Sequence, residues 1–223
     1  MRIFLTGCTG FLGKSLLRNL AENRNNDDLR LHVLCRDPKN LDLEISFLLK
    51  KLNAKIIVGD LDKITFPKFP LDIIFHAAAD TNKEAFRNPS KLFRSVSTST
   101  ERILYLSKIS NCKKLIFISS GAVYGALNTS KLLEEDHTSS QLHLSSCIDY
   151  YGLAKLFQEN YFQTNFKNCY VLRLFSFASA DFNKSHSAIY SFFKSALNDK
   201  KIFLKSNGLS KRTYLSSKGL SHY

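Results

Sequence analysis

The chain has 223 residues, 44% of them hydrophobic and 23% charged, with 32 Lys and Arg against 19 Asp and Glu. That length buries one large core with at most a small appended lobe, and the composition is that of an ordinary folded domain. It excludes a bilayer span, because no apolar run reaches the roughly 20 residues one requires. The N-terminal Met1–Gly7 has too short an apolar stretch for a signal peptide and meets glycine at once.

The five cysteines, Cys8, Cys35, Cys112, Cys147 and Cys169, never fall in Cys-x-x-Cys spacing. They are expected to be reduced thiols in a cytoplasmic protein, buried as small hydrophobes, with neither a disulfide framework nor a metal site. The net charge of +13 is spread along the chain, apart from Lys194–Tyr223, where seven Lys and Arg face the single acid Asp199. A nucleic-acid-binding protein is therefore a secondary reading, since a positive field also suits a substrate that carries a diphosphate.

In chain order, residues 2–6 predict a buried strand running into Thr6-Gly7. Leu12, Leu16, Leu17 and Leu20 then recur at helical spacing. Leu31–Cys35 predicts a second strand, and Pro38 opens a helix through about Leu52, proline being suited to a first helical turn. Lys55–Val58 is a third strand, closed by Gly59-Asp60, and Asp72–His76 a fourth. A long helix follows from Pro89 to Ser110, then a fifth strand at Lys114–Ile118. After a polar loop come a helix over Tyr150–Thr164 and a sixth strand at Cys169–Leu174. Strands that are almost continuously apolar and alternate with helices predict a doubly wound α/β fold, its parallel sheet covered on both faces. Such sheets bind ligands beyond the carboxyl ends of their strands.

Three motifs fall at that edge. Gly7-Cys8-Thr9-Gly10-Phe11-Leu12-Gly13 sits between first strand and first helix, where glycines let backbone approach a pyrophosphate held on the helix N-terminus. Its Gly-x-x-Gly-x-x-Gly spacing is one residue longer than the common dinucleotide fingerprint. Tyr151-Gly152-Leu153-Ala154-Lys155 places a phenol and an ammonium four residues apart on one helical face. That cation is expected to lower the tyrosine pKa toward the range of a general acid–base. Ser119-Ser120-Gly121-Ala122-Val123-Tyr124-Gly125, past the fifth strand, offers a serine to a substrate oxygen. Taken singly, the last two are equally a solvated helix face and a polar turn.

In this order and at these separations the motifs resemble the extended short-chain dehydrogenase/reductase family, and most nearly its NAD-dependent epimerase/dehydratase branch of surface-polysaccharide synthesis. The resemblance extends to Gly59-Asp60-Leu61, His76-Ala77-Ala78-Ala79, Arg173-Leu174-Phe175 and Lys211–Leu215. It implies an NAD(P)-binding Rossmann domain over 1–175, a partial substrate lobe over 176–223, a nucleotide-sugar substrate, and a homodimer as a possible assembly. It implies dinucleotide contacts from Gly7, Gly10, Phe11, Leu12, Gly13, Asp60, Leu61, Ala77, Ala78 and Ala79. Tyr151 is implied as the acid–base, Lys155 as the holder of the cofactor ribose, and Ser120, four residues before Tyr124, as the group that polarises the reacting oxygen. Tyr124 and Arg212 are implied substrate contacts, Arg212 at the diphosphate.

The chain departs from the family pattern at Gly121 and Ala122, which replace the Asp-Glu pair of 4,6-dehydratases, so epimerisation or keto-sugar reduction is expected instead of dehydration. Ser176-Phe177-Ala178-Ser179 replaces an Asn-containing turn, and Ser216–Gly219 an acidic stretch. The chain ends at Tyr223, short of the family's complete substrate lobe, which raises the alternative of a noncatalytic dinucleotide-binding protein or fragment. At the end of the second strand, Arg36 and Lys39 favour NADP(H) through its 2′-phosphate, while Asp37 is the alternative, an acid for the ribose of NAD.

Overall fold

A computed structural model describes residues 1–23, 28–66, 68–79, 88–125, 147–178, 188–204, 207–208, 213–216 and 219. Six strands, β1 (Arg2–Thr6), β2 (Arg30–Cys35), β3 (Lys55–Val58), β4 (Ile73–His76), β5 (Lys114–Ser120) and β6 (Cys169–Leu174), form one sheet in the order β3-β2-β1-β4-β5-β6. Every pairing in it is parallel. This is the doubly wound α/β arrangement, and the order reverses between β1 and β4.

The run Ile3-Phe4-Leu5 shows why these strands lack polar alternation. Successive side chains point to opposite faces, and here both faces are covered. Ile3 and Leu5 join Leu31 and Val33 under α1 (Phe11–Glu22) and α2 (Leu43–Lys51), with Leu17, Ala21, Ile45 and Leu48. Phe4 points the other way, into Leu34, Ile74, Leu115 and Phe117 under α3 (Pro89–Ile109) and α4 (Cys147–Asn165), with Ile103, Leu106 and Phe162. Within this second layer the Gln158 amide of α4 donates to Thr100 Oγ1 of α3 at 3.1 Å. No helix among the described residues is long and apolar enough to cross a membrane, and they hold no cluster of His, Cys, Asp and Glu suited to a metal ion.

Three features differ from the sequence expectation. The helix expected from Pro38 is divided: Pro38–Asn40 is a single 3-10 turn, Leu41 is extended, and α2 begins at Leu43. Each piece has its own cap, Asp37 accepting from Lys39 N at 3.2 Å and Asp42 from Ile45 N at 2.8 Å. Second, β7 (Ser176–Ala178) pairs with β8 (Tyr214–Ser216) in a separate parallel ribbon. Third, α5 (Ala188–Leu197) forms where no helix was expected. The polar loop expected after Gly125 lies outside the described residues.

The divided helix has a measurable consequence. Asp42→Ala removes an N-cap and is expected to destabilise the protein by about 1 kcal/mol in urea unfolding. Were the helix continuous from Pro38, position 42 would be interior and alanine would stabilise it.

Candidate dinucleotide and proton-transfer site

The glycine loop leaves β1 through Gly7, whose φ of +77° is open to glycine and costly for other residues. A Cβ on Gly7 would lie 2.7 Å from Ala77 C and Ala78 N, and one on Gly13 would lie 2.1 Å from Gly7 O. Both glycines are thus demanded by the chain's own backbone. Gly10 is different: its φ of −78° is ordinary and its Cβ would meet only Gly7 O, at 3.3 Å. The space above it is left to a ligand. Gly10 also begins α1 without a side-chain cap, and the first turn carries no acidic residue. The positive end of α1 therefore faces that space, which fits a pyrophosphate. The Phe11 ring packs edge-on against Phe177, centroids 4.8 Å apart, and Leu12 packs into the core.

The neighbouring strand ends converge on this loop. Thr6 O accepts from Ala77 N and Thr6 Oγ1 from Ala78 N, at 3.3 and 3.2 Å, which brings Ala77 and Ala78 beside Gly7 and leaves Ala79 exposed. Arg36, the residue after β2, is exposed. The Asp37 carboxylate is occupied by Lys39 N and by Asn40 Nδ2 at 2.6 Å. Asp60 is exposed past the end of β3. Leu61 corrects the expectation: its side chain is buried in the core layer under α3, and its carbonyl accepts from Arg102 Nε at 3.1 Å.

At the end of β5, Ser120 Oγ accepts from Ala122 N at 3.2 Å and hydrogen-bonds the Tyr151 phenol. The expected lowering of the Tyr151 pKa is not present: burial pushes it up to about 12, with Ser120 opposing. Lys155 shares the helix with Tyr151, but its Nζ donates to Ile118 O at 2.9 Å and sits 4.6 Å over the Phe117 ring. Burial brings the pKa of this lysine down to about 7, against the pull of Glu159. An ammonium drawn inward to a carbonyl does not supply the effect the spacing promised.

Several groups were missed by the sequence reading. Arg173 binds the buried Glu159 carboxylate, with Nη2 at 2.7 Å from Oε2, and its Nη1 donates to the Tyr124 hydroxyl at 2.9 Å. Tyr124, expected at the substrate, is buried with its ring against the Arg173 guanidinium and stacked on Phe175. Phe175 also explains Gly121, since a Cβ there would fall 2.6 Å from its ring. His76 is buried beside Thr6, with Nδ1 at 2.7 Å from Thr6 Oγ1, and burial and Lys155 hold its pKa down at about 3. Glu159 was legible as the next i+4 position after Lys155. Arg212 lies outside the described residues.

Residues 3–220 match the NAD dependent epimerase/dehydratase family. A UDP-glucose 4-epimerase of Mycoplasma genitalium is 30% identical over 192 residues, which cover 80% of this chain and 53% of that protein. A dTDP-D-glucose 4,6-dehydratase of Dictyostelium discoideum is 26% identical over 234 residues, 96% of this chain and 52% of that protein. The chain thus spans about half the length of the curated relatives it matches. Among solved structures, a UDP-glucuronic acid 4-epimerase from Bacillus cereus in complex with UDP-glucuronic acid and NAD superposes with a TM-score of 0.75 at 22% identity. The match covers 98% of this chain and 70% of that one, and is a likeness of fold.

The two kinds of glycine separate experimentally. Gly10→Ala is expected to melt close to the parent, while Gly13→Ala, which drives a methyl into the Gly7 carbonyl, unfolds at a markedly lower temperature. Equal melting temperatures for the two variants would contradict the loop geometry.

Proposed function

Because the chain belongs to the NAD dependent epimerase/dehydratase family, we propose that it carries the dinucleotide-binding and proton-transfer half of an enzyme that epimerises a nucleotide sugar or reduces a keto-sugar nucleotide. The observation that carries this reading is the Ser120–Tyr151 hydrogen bond at the carboxyl edge of the sheet that also holds the glycine loop. The division into a dinucleotide domain over 1–175 and a substrate lobe over 176–223 belongs to the same proposal, as do the cytoplasmic location and the homodimer. The role in surface-polysaccharide synthesis is supported by the sequence resemblance alone.

A bound nicotinamide supplies a reversible hydride acceptor; the remaining chemistry falls to the chain's own side chains. Gly7, Gly10 and Gly13 seat the diphosphate, and Ala77 and Ala78 border it. Ser120 holds the reacting sugar oxygen beside the Tyr151 hydroxyl. With its pKa raised to about 12, Tyr151 is a neutral phenol at pH 7 and acts first as a donor. Acting as a base requires a nearby positive charge, and Lys155, one turn on along the same helix, is the cation at hand. Dehydration is disfavoured: the position where 4,6-dehydratases carry aspartate is Gly121, which lies against the Phe175 ring. Arg212 as a diphosphate contact remains part of the proposal.

The Bacillus cereus neighbour is described with NAD, and nothing in it supports an NADP(H) preference. That preference rests on Arg36, exposed at the end of β2, with Asp37 committed to its own turn.

Two measurements test these roles. Tyr151→Phe is expected to lower turnover by about 100- to 10,000-fold against a panel of nucleotide sugars, with calorimetric dinucleotide affinity retained. Activity within a few-fold of the parent removes Tyr151 from the chemistry, and a parent that binds dinucleotide yet is inert on the whole panel removes the catalytic reading. Arg36→Ala is expected to erase a preference for NADP(H) of about 10-fold or more, the scale of one charge-assisted hydrogen bond. Equal affinity of the parent for the two dinucleotides rejects the assignment.

A further inference from the structure

Glu159 has no part in the roles assigned so far, yet it joins three of the elements that meet at the site. It follows Tyr151 and Lys155 at successive i+4 positions, so all three fall on one side of α4. Its carboxylate is buried, the residue being 2% exposed. Ser119 Oγ donates to Oε1. Arg173 Nε lies 3.1 Å from Oε1 and 3.0 Å from Oε2, and Nη2 lies 2.7 Å from Oε2. Ser119 and Arg173 are register partners in β5 and β6, and Ser120 is the next residue of β5. Through Arg173 Nη1 the same carboxylate holds Tyr124, which closes the 3-10 turn Gly121–Tyr124 that follows Ser120.

Stability is a poor explanation for this arrangement. A buried ion pair recovers little beyond its own desolvation cost, and apolar side chains of similar volume serve as well or better. Ser119 and Tyr124 ask only for hydrogen-bond partners, which an amide would offer. What the carboxylate alone adds is two acceptor oxygens that take Ser119 of β5 and the guanidinium of β6 together.

We propose, on the basis of the function given above, that Glu159 is a positioning residue. Through Ser119 Oγ and the Arg173 guanidinium it fixes the end of β5 so that Ser120 stands against Tyr151.

The test compares Glu159→Gln with the double variant Glu159→Gln/Arg173→Gln. The single variant takes the anionic partner from the half-buried Arg173 guanidinium and is expected to melt below the parent. The double variant removes both members of the pair and is expected to recover most of the melting temperature. A purely structural role predicts that turnover recovers with it. Positioning predicts instead that hydride transfer stays down by about 100-fold, the scale of a misplacement near 1 Å, with dinucleotide affinity unchanged. A second readout needs no turnover: the Tyr151 phenol, followed by NMR with ring-labelled tyrosine and assigned through Tyr151→Phe, is expected to shift in the double variant as its bond to Ser120 is disturbed. A double variant that melts like the parent and keeps the Tyr151 signal overturns the proposal. A parent inert on every nucleotide sugar overturns the proposed activity and leaves the Tyr151 signal to decide this inference by itself.

Discussion

Parallel pairing is the constraint from which the rest of this molecule follows. Each strand must be reached by a connection that recrosses a face of the sheet, so β1 to β6 all end at one edge. Gly7, Arg36, Ala77 and Phe175 each stand one residue beyond a strand, and Ser120 is the last residue of its own. Because the order reverses between β1 and β4, the connections leaving those two strands run to opposite faces and open a crevice between them. Gly7 and Ala77–Ala78 close the floor of that crevice by contact of backbone with backbone.

Hydrophobic burial brings the helices onto the sheet but is not directional, and it leaves their axial placement free. Polar contacts inside the α3–α4 layer remove that freedom. The Gln158–Thr100 bond sets α4 against α3, the Lys155–Ile118 bond sets it against β5, and the Glu159–Arg173 pair sets it against β6. On the far side of β5, Thr6 holds the His76 ring, which stacks near Phe117 under the Lys155 ammonium. A directional bond to each surrounding element is what makes the position of Tyr151 a property of the fold.

The sheet was legible because continuous apolar runs such as Ile3–Leu5 and Leu31–Cys35 have one economical explanation, burial on both faces. Ser120 and Tyr151 were each legible as motif positions in a known order, while their contact with one another was not. What escaped the sequence were choices among local alternatives. Proline at a first turn serves a 3-10 turn as well as an α-helix, and two caps, Asp37 and Asp42, divided what looked continuous. Leu61 was read with Gly59 and Asp60 as one motif, although its side chain goes to the core. A shared helical face brought Tyr151 and Lys155 near each other, but the ammonium answered to the Ile118 carbonyl, whose availability depends on where a different strand ends. The helix α5 was there to be seen, since Ile189, Phe192, Phe193, Ala196 and Leu197 recur at helical spacing.

The glycine loop is held by its own backbone. Gly7 O accepts from Gly10 N at 3.0 Å and walls off the position of Gly13, while Thr6 ties the loop's base to Ala77 and Ala78. None of these contacts waits for a ligand. The dinucleotide proposed for this loop would meet a receptor already in shape, and the conformational entropy of ordering the loop would be saved for affinity. Arrival of the anion would then set the pace, and a sequence with a surplus of +13 draws anions toward its surface at a rate that salt in the medium slows.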